Sequence, residues 1–179
     1  MEFALSQTVV MLERTPSALD ALLRELPDAW TQSREGQGTW TVFEVVAHLI
    51  HGERTDWMPR VRVILEHGCT RAFEPFDRLG HIEASRGKSL PELLDEFSSV
   101  REHSLRELHA LNLQPAQLAL RGLHPALGPV TLQQLLATWA VHDQTHLHQI
   151  SRILAHQYRE AVGPWSEYLG VLKCGGHGS

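Results

Sequence analysis

A chain of 179 residues, 42% hydrophobic and 21% charged, is long enough for one globular domain with a sizeable core. Its formal net charge of −5, with Lys and Arg scattered along the chain, argues against a nucleic-acid footprint. No apolar run approaches the roughly 20 residues needed to span a bilayer, and two cysteines, Cys69 and Cys174, do not suggest a disulfide framework. The start Met1-Glu2-Phe3-Ala4-Leu5 lacks the basic and apolar regions of a signal peptide. The expectation is a cytoplasmic protein with neither nucleic acid nor membrane among its partners.

In chain order, Phe3 to about Leu26 reads as a first helix, with Thr15-Pro16 as a point where it would restart. Pro27 ends it, and Gln32 to Thr39 is a polar connection containing Gly36 and Gly38. A second helix runs from about Thr41 to Glu66, opened by a Thr41/Glu44 capping-box spacing and kinked at Pro59, and Gly68 ends it. Cys69 to Lys88 is irregular and rich in aromatic and charged residues, among them Phe73, Phe76, Arg78 and His81. Loops of that length are functional lids or disordered.

A third helix spans about Leu90 to Leu111, with Pro91 in its first turn. Asn112 to Val130 is a second long connection. The fourth helix opens at Thr131, again with capping-box spacing to Gln134, and continues to about Tyr158. Gly163-Pro164 breaks the chain before a short helical segment from Trp165 to about Lys173. The predicted organisation is one domain over residues 1–173 and a flexible tail over 174–179. With no strand-period run and no internal repeat, four long helices predict an all-α four-helix bundle. Two connections are too long for simple hairpins, so helices adjacent in sequence need not be neighbours in space.

Twelve histidines are the compositional oddity. Leu132, Leu135, Leu136, Trp139, Ile150, Ile153 and Leu154 mark the buried stripe of the fourth helix, and His142 and His146 fall on it one turn apart. An apolar stripe is a costly place for two imidazoles unless something satisfies their nitrogens. His48 lies beside the apolar face of the second helix formed by Val42, Val45, Val46 and Leu49. Three neutral imidazoles from two packed helices would bind a divalent metal and leave one position for water or substrate, as in a catalytic zinc site. Three imidazoles suit zinc, nickel, copper or iron.

Other residues have weaker claims. Asp143 follows His142 where a zincin motif has its Glu base, but it stands about 100° around the helix, so it reads first as a cap or ion-pair partner. Glu44 precedes His48 by one turn and would orient its ring, although capping already explains it. His51 is one turn beyond His48 and within reach of the site, although a solvated or hydrogen-bonded imidazole is its plainer reading. Gln149 shares the ligand face and would either hold water or bond to a neighbouring helix. Trp139 reads as core, one turn before His142. Trp57 with Phe73, Phe76 and Arg78 would shape an entrance.

The segments Thr39-Trp40-Thr41 and Glu44-Val45-Val46-Ala47-His48-Leu49 resemble the first signature of the DinB/YfiT-like superfamily. His124-Pro125, Gly128-Pro129-Val130-Thr131-Leu132 and His142-Asp143-Gln144-Thr145-His146-Leu147-His148-Gln149-Ile150 resemble its second. The resemblance implies a bundle with up-down-down-up connectivity and a divalent metal, zinc or nickel first, on His48, His142 and His146. It also implies a homodimer. Some relatives are thiol-dependent transferases and others metal-dependent hydrolases, so it implies an enzyme acting on a small-molecule substrate, with a low-molecular-weight thiol as co-substrate in the first case. The competing class is a non-enzymatic metal-binding stress or interaction protein.

Overall fold

The computed structural model describes residues 2–174. Residues 175–179 of the predicted tail lie outside them. The framework is four long helical arms: α1 (Leu5–Leu23), the second arm made of α3 (Val42–Gly52) and α4 (Met58–His67), α6 (Leu90–Ala110) and α8 (Leu132–His156). Single turns α2 (Asp28–Thr31), α5 (Gly80–Ala84) and α7 (Pro115–Leu118) lie in the connections. The capping boxes read from Thr41/Glu44 and Thr131/Gln134 are both formed, and Ser89/Glu92 makes a third at the start of α6. In each the N-cap side chain takes an orphan backbone N–H while the N3 side chain returns to the N-cap N–H.

Two core clusters show how the arms run. At one end Leu19 and Leu23 of α1 meet Val42 to Ile50 of α3, Leu90 to Phe97 of α6, and Ile150 and Ile153 of α8. At the other, Val9 and Leu12 meet Trp57 to Ile64, Leu105 and Leu108, and Leu132 to Trp139. Arms one and four therefore point one way and arms two and three the other, which is up-down-down-up. α1 packs chiefly against α6 and α8, and α3 against α6 and α8. The consecutive arms α1 and α3 are thus diagonal, which the 32–39 connection allows.

The prolines act differently from the sequence expectation. α1 does not restart at Thr15-Pro16; it is continuous, with Pro16 inside it. A proline has no N–H for the carbonyl four residues back, which here is Leu12, and Arg101 Nη1 of α6 donates to that carbonyl at 2.8 Å instead. Pro59 does not simply kink the second arm. It follows a π-helical turn over Glu53–Trp57 that separates α3 from α4. The wider turn adds a residue and rotates the downstream face, so that Glu53, Asp56 and Trp57 are all buried.

Buried charge clamps the middle of the bundle. Arg101, 1% exposed, donates through Nη1 and Nη2 to the two oxygens of Asp143 at 2.7 and 2.9 Å and through Nε to Glu53 Oε1 at 2.9 Å. Thr15 Oγ1 donates to Asp143 Oδ2 at 2.7 Å and Trp139 Nε1 to Glu53 Oε1 at 2.8 Å. All four arms meet here. Burial pushes the Glu53 carboxyl up, against the pull of Arg101.

The all-α bundle stands, but the second long connection is not strand-free. It contains a hairpin, β1 (Arg121–His124) paired antiparallel with β2 (Gly128–Thr131), Arg121 opposite Thr131 and His124 opposite Gly128. Strands of four residues carrying Gly122, Gly128 and Pro129 are too short to show an alternating pattern. The hairpin anchors the first long connection, because Phe73 N–H donates to Leu123 O at 2.9 Å. A Cβ on Gly122 would sit 2.6 Å from Ile64 and 2.7 Å from Phe73, so glycine is what permits the approach. The segment beyond Gly163-Pro164 forms 3-10 turns at Gly163–Tyr168 and Gly170–Leu172. No helix among the described residues is long and apolar enough to cross a membrane.

Removing Arg101 strands two buried carboxylates. Arg101→Leu is expected to lower stability by about 3–5 kcal/mol in urea denaturation. Adding Asp143→Leu and Glu53→Gln should recover most of it. A single-variant loss below about 1 kcal/mol would show that the clamp is not what holds the arms.

Candidate metal centre

The antiparallel arms α3 and α8 bring together the three histidines singled out from the sequence. His48 and His146 are buried and His142 is half-buried, with ligand-type atoms all within 4.8 Å of one another. His142 Nε2 lies 3.1 Å from His146 Nε2 and 3.3 Å from His48 Nε2. On the far side of the third ring, His146 Nδ1 lies 2.8 Å from Gln149 Oε1. A carbonyl oxygen only accepts, so that Nδ1 carries the hydrogen and His146 Nε2 presents a lone pair to the cluster.

The cluster cannot satisfy itself. A neutral Nε2 carries either one hydrogen or one lone pair, so His142 Nε2 completes one of its two contacts and not the other. Nor do His48 and His142 charge to resolve the conflict. Burial, reinforced by His146 and His142, pushes His48 down to about 2. Burial, reinforced by His146 and Arg101, pushes His142 down to about 3. What fits three converging imidazoles, two of them held neutral by burial, is a cation between them.

The trio faces a cleft of about 700 Å³ that Trp40, Trp57, Phe73, Phe76 and Arg78 help to line. The entrance role expected of Trp57 and the 73–78 loop thus has a geometric basis. Trp57 meets the His142 ring edge-on, centroids 5.1 Å apart. Gln149 lines the cleft as well, and its partner is His146 of its own helix and not a neighbouring one.

Four other candidates lie elsewhere. Asp143 does not face the cleft; it is in the Arg101 clamp, on the core side of α8, as its 100° offset requires. Trp139 is one layer back, stacked on Trp57 at 5.8 Å with its Nε1 on Glu53. Glu44 does not orient His48. Its oxygens take the Thr41 N–H and the Arg34 guanidinium, and His48 Nδ1 is buried without a partner. His51 packs against Phe76, ring centroids 5.1 Å apart, and against Gly80, away from the trio.

Two residues missed as site components stand close by. The Trp40 ring lies 4.8 Å from His48 and 6.3 Å from His146. His81, 1% exposed, packs edge-on to Trp40 at 4.8 Å and to His48 at 5.6 Å. His81 comes from an irregular stretch, where no periodicity marks a residue as buried. Trp40 had a signal, since it stands one residue before an N-cap, where apolar side chains fold back on their helix.

The depressed histidines set a pH dependence for the metal-free protein. Their unfolded values are near 6.5 and their folded values near 2 and 3. Below about pH 6.5 the unfolded chain takes up protons that the folded chain refuses, so stability present at neutral pH is lost as pH falls. Each contributes up to about 1.4 kcal/mol per pH unit in that window. In urea denaturation between pH 7 and pH 5, His48→Gln should lose less stability than the wild type; equal losses would show that His48 charges freely in the fold.

The DinB superfamily model matches residues 11–150. Among solved structures, the chain is similar to YfiT from Bacillus subtilis, described as a probable metal-dependent hydrolase with an unusual four-helix bundle topology. That match has a TM-score of 0.71 at 20% identity, over 89% of this chain and 90% of that one. It is also similar to TT2238, a four-helix bundle protein, with a TM-score of 0.55 at 23% identity over 83% of this chain and 98% of that one. No match was found among curated proteins. With a family model spanning most of its length and a bundle of matching topology, this chain belongs to the DinB superfamily.

Proposed function

We propose that His48, His142 and His146 hold one divalent metal, zinc or nickel first, and that the protein is a metal-dependent enzyme acting on a small molecule in the adjoining cleft. The observation that carries this is the convergence of three Nε2 atoms, 3.1 and 3.3 Å apart along the chain of contacts, at the wall of a cleft of about 700 Å³. A divalent ion held by these three imidazoles would supply Lewis acidity, under which water or a thiol would be acidic enough to act as a nucleophile near neutral pH.

The chain's own residues do the rest. Gln149 holds His146 in the tautomer that offers Nε2. Trp40 and Trp57 wall the trio with apolar surface, which excludes bulk water and strengthens electrostatic interactions inside. The clamp on Asp143 fixes the turn of α8 that carries His142.

Hydrolysis is the leading reaction, supported by the description of YfiT. In the thiol-transfer reading the thiol is a co-substrate, because Cys69 and Cys174 are exposed and neither lines the cleft. A cytoplasmic location and a homodimer complete the reading.

Elemental analysis of untagged protein should find about one equivalent of metal in the wild type and its loss in His142→Ala. The metal-loaded protein should turn over members of a panel of small esters, amides and electrophiles, the last with and without added thiol. Metal bound at one equivalent with no turnover anywhere would favour a non-enzymatic binding protein. A wild type that refuses zinc and nickel would overturn the metal centre itself.

A further inference from the structure

The cleft extends well beyond the histidines. Its wall on α8 runs from Gln134 to Gln149, about 22 Å of helix at roughly 1.5 Å per residue. The trio occupies the Gln149 end. The opposite end is built from Arg60 of α4, Phe73 of the first long connection and His124 of the hairpin, and it differs in chemistry.

Three formally charged side chains line the cleft: Arg60, Arg78 and Asp56. This surplus of positive charge sits in a chain whose net charge is −5. Arg60 is held in place. Its guanidinium lies 5.2 Å from the centroid of the Phe73 ring, over its face, and one Nη2 contact of 2.6 Å joins it to Asp56. Both side chains of that pair are 12% exposed. A guanidinium has five N–H donors in one plane, so stacking and a single partner leave donors for a planar bidentate acceptor.

His124 adds a second donor. Its Nδ1 accepts the backbone N–H groups of Ala126 and Leu127, each at 3.1 Å, which places the hydrogen of the neutral ring on Nε2. Burial and the charge of Arg60 hold His124 below the usual histidine range, so it is a neutral donor at pH 7. Trp57, Phe76, Leu127 and Val130 make much of the remaining lining apolar.

Resting on the metal-dependent reading above, the geometry points to an anion-accepting subsite at Arg60 and His124, and so to a substrate with an apolar body and a carboxylate at the end remote from the histidines. Over the whole cleft, Arg78 included, the lining side chains carry a net single positive charge, and Arg60 is already paired with Asp56; that suits a monoanionic carboxylate better than a phosphate dianion. From Gln134 to His142 is about two turns of α8, roughly 12 Å. That is the length over which the substrate's body would lie.

The test uses metal-free full-length protein, so that no metal can take the anion and the fate of the metal centre does not enter. Tryptophan fluorescence follows titration with 4-phenylbutyrate, its uncharged amide and a phenylalkyl phosphate of the same length at pH 7.5. The carboxylate should bind at least about tenfold more tightly than the amide. Arg60→Gln should abolish that preference while leaving zinc binding unchanged.

Arg60→Lys keeps the charge and loses the planar fork, so it should retain only part of the preference, and it serves as the test should Arg60→Gln not fold. Equal binding of acid and amide, or a preference untouched in both variants, overturns the subsite. Tighter binding of the phosphate than of the carboxylate overturns the carboxylate assignment.

Discussion

The interaction on which the rest of this structure depends is the buried guanidinium of Arg101. One side chain from the third arm reaches Leu12 of the first, Glu53 of the second and Asp143 of the fourth. Two buried carboxylates and one buried arginine are costly to desolvate. They persist because their oxygens and donors are matched almost completely, down to the carbonyl that Pro16 leaves without its usual partner. Since no two consecutive arms are joined by a tight turn, a shared polar centre is an effective way to specify which face of each helix turns inward. A sliding hydrophobic interface would not distinguish one turn from the next.

That centre is also where fold and site are connected. Asp143 and His142 are neighbours in sequence but point to different faces of α8, one into the clamp and one into the cleft. The π-helical turn performs the matching operation on the second arm. It sends Glu53 into the clamp and presents Asp56 and Trp57 to the cleft. The trio therefore stands on two helices whose rotation about their axes is set by charges on their opposite faces. Preorganisation of this kind suits metal chemistry, because ligand atoms that must converge to within a few tenths of an ångström cannot be left to flexible packing.

The cleft shows the complementary design. Its histidines stand at one end and Arg60 and His124 at the other, with apolar wall contributed by Trp40, Trp57, the 73–78 loop and the hairpin. The loop is not independent, since Phe73 is tied to the hairpin through a backbone bond and packs under Arg60. Gly122 lets strand, loop and α4 approach closely enough for this, and a side chain there would push the wall outward. Variation in this wall changes what fits the cleft without touching the histidines.

Much was legible in the sequence because it is local. The helices followed from apolar periodicity and capping spacing, and Thr41/Glu44 and Thr131/Gln134 form the caps their order demanded. His142 and His146 were readable as a pair, because two residues four apart share a face of any helix. The 100° offset of Asp143 correctly favoured an ion pair over a place in the cleft.

What only the tertiary structure decided are the partners. Nothing local says that Arg101 meets Asp143, that Leu12 offers its carbonyl, or that His81 from an irregular segment is buried against His48. Nor could four-residue strands interrupted by Gly and Pro announce a hairpin, or a lone Pro59 announce a π-turn. Sequence spacing specifies direction about one axis. Contact between two axes depends on how the helices are turned toward each other, and in this protein buried charge decides that turn.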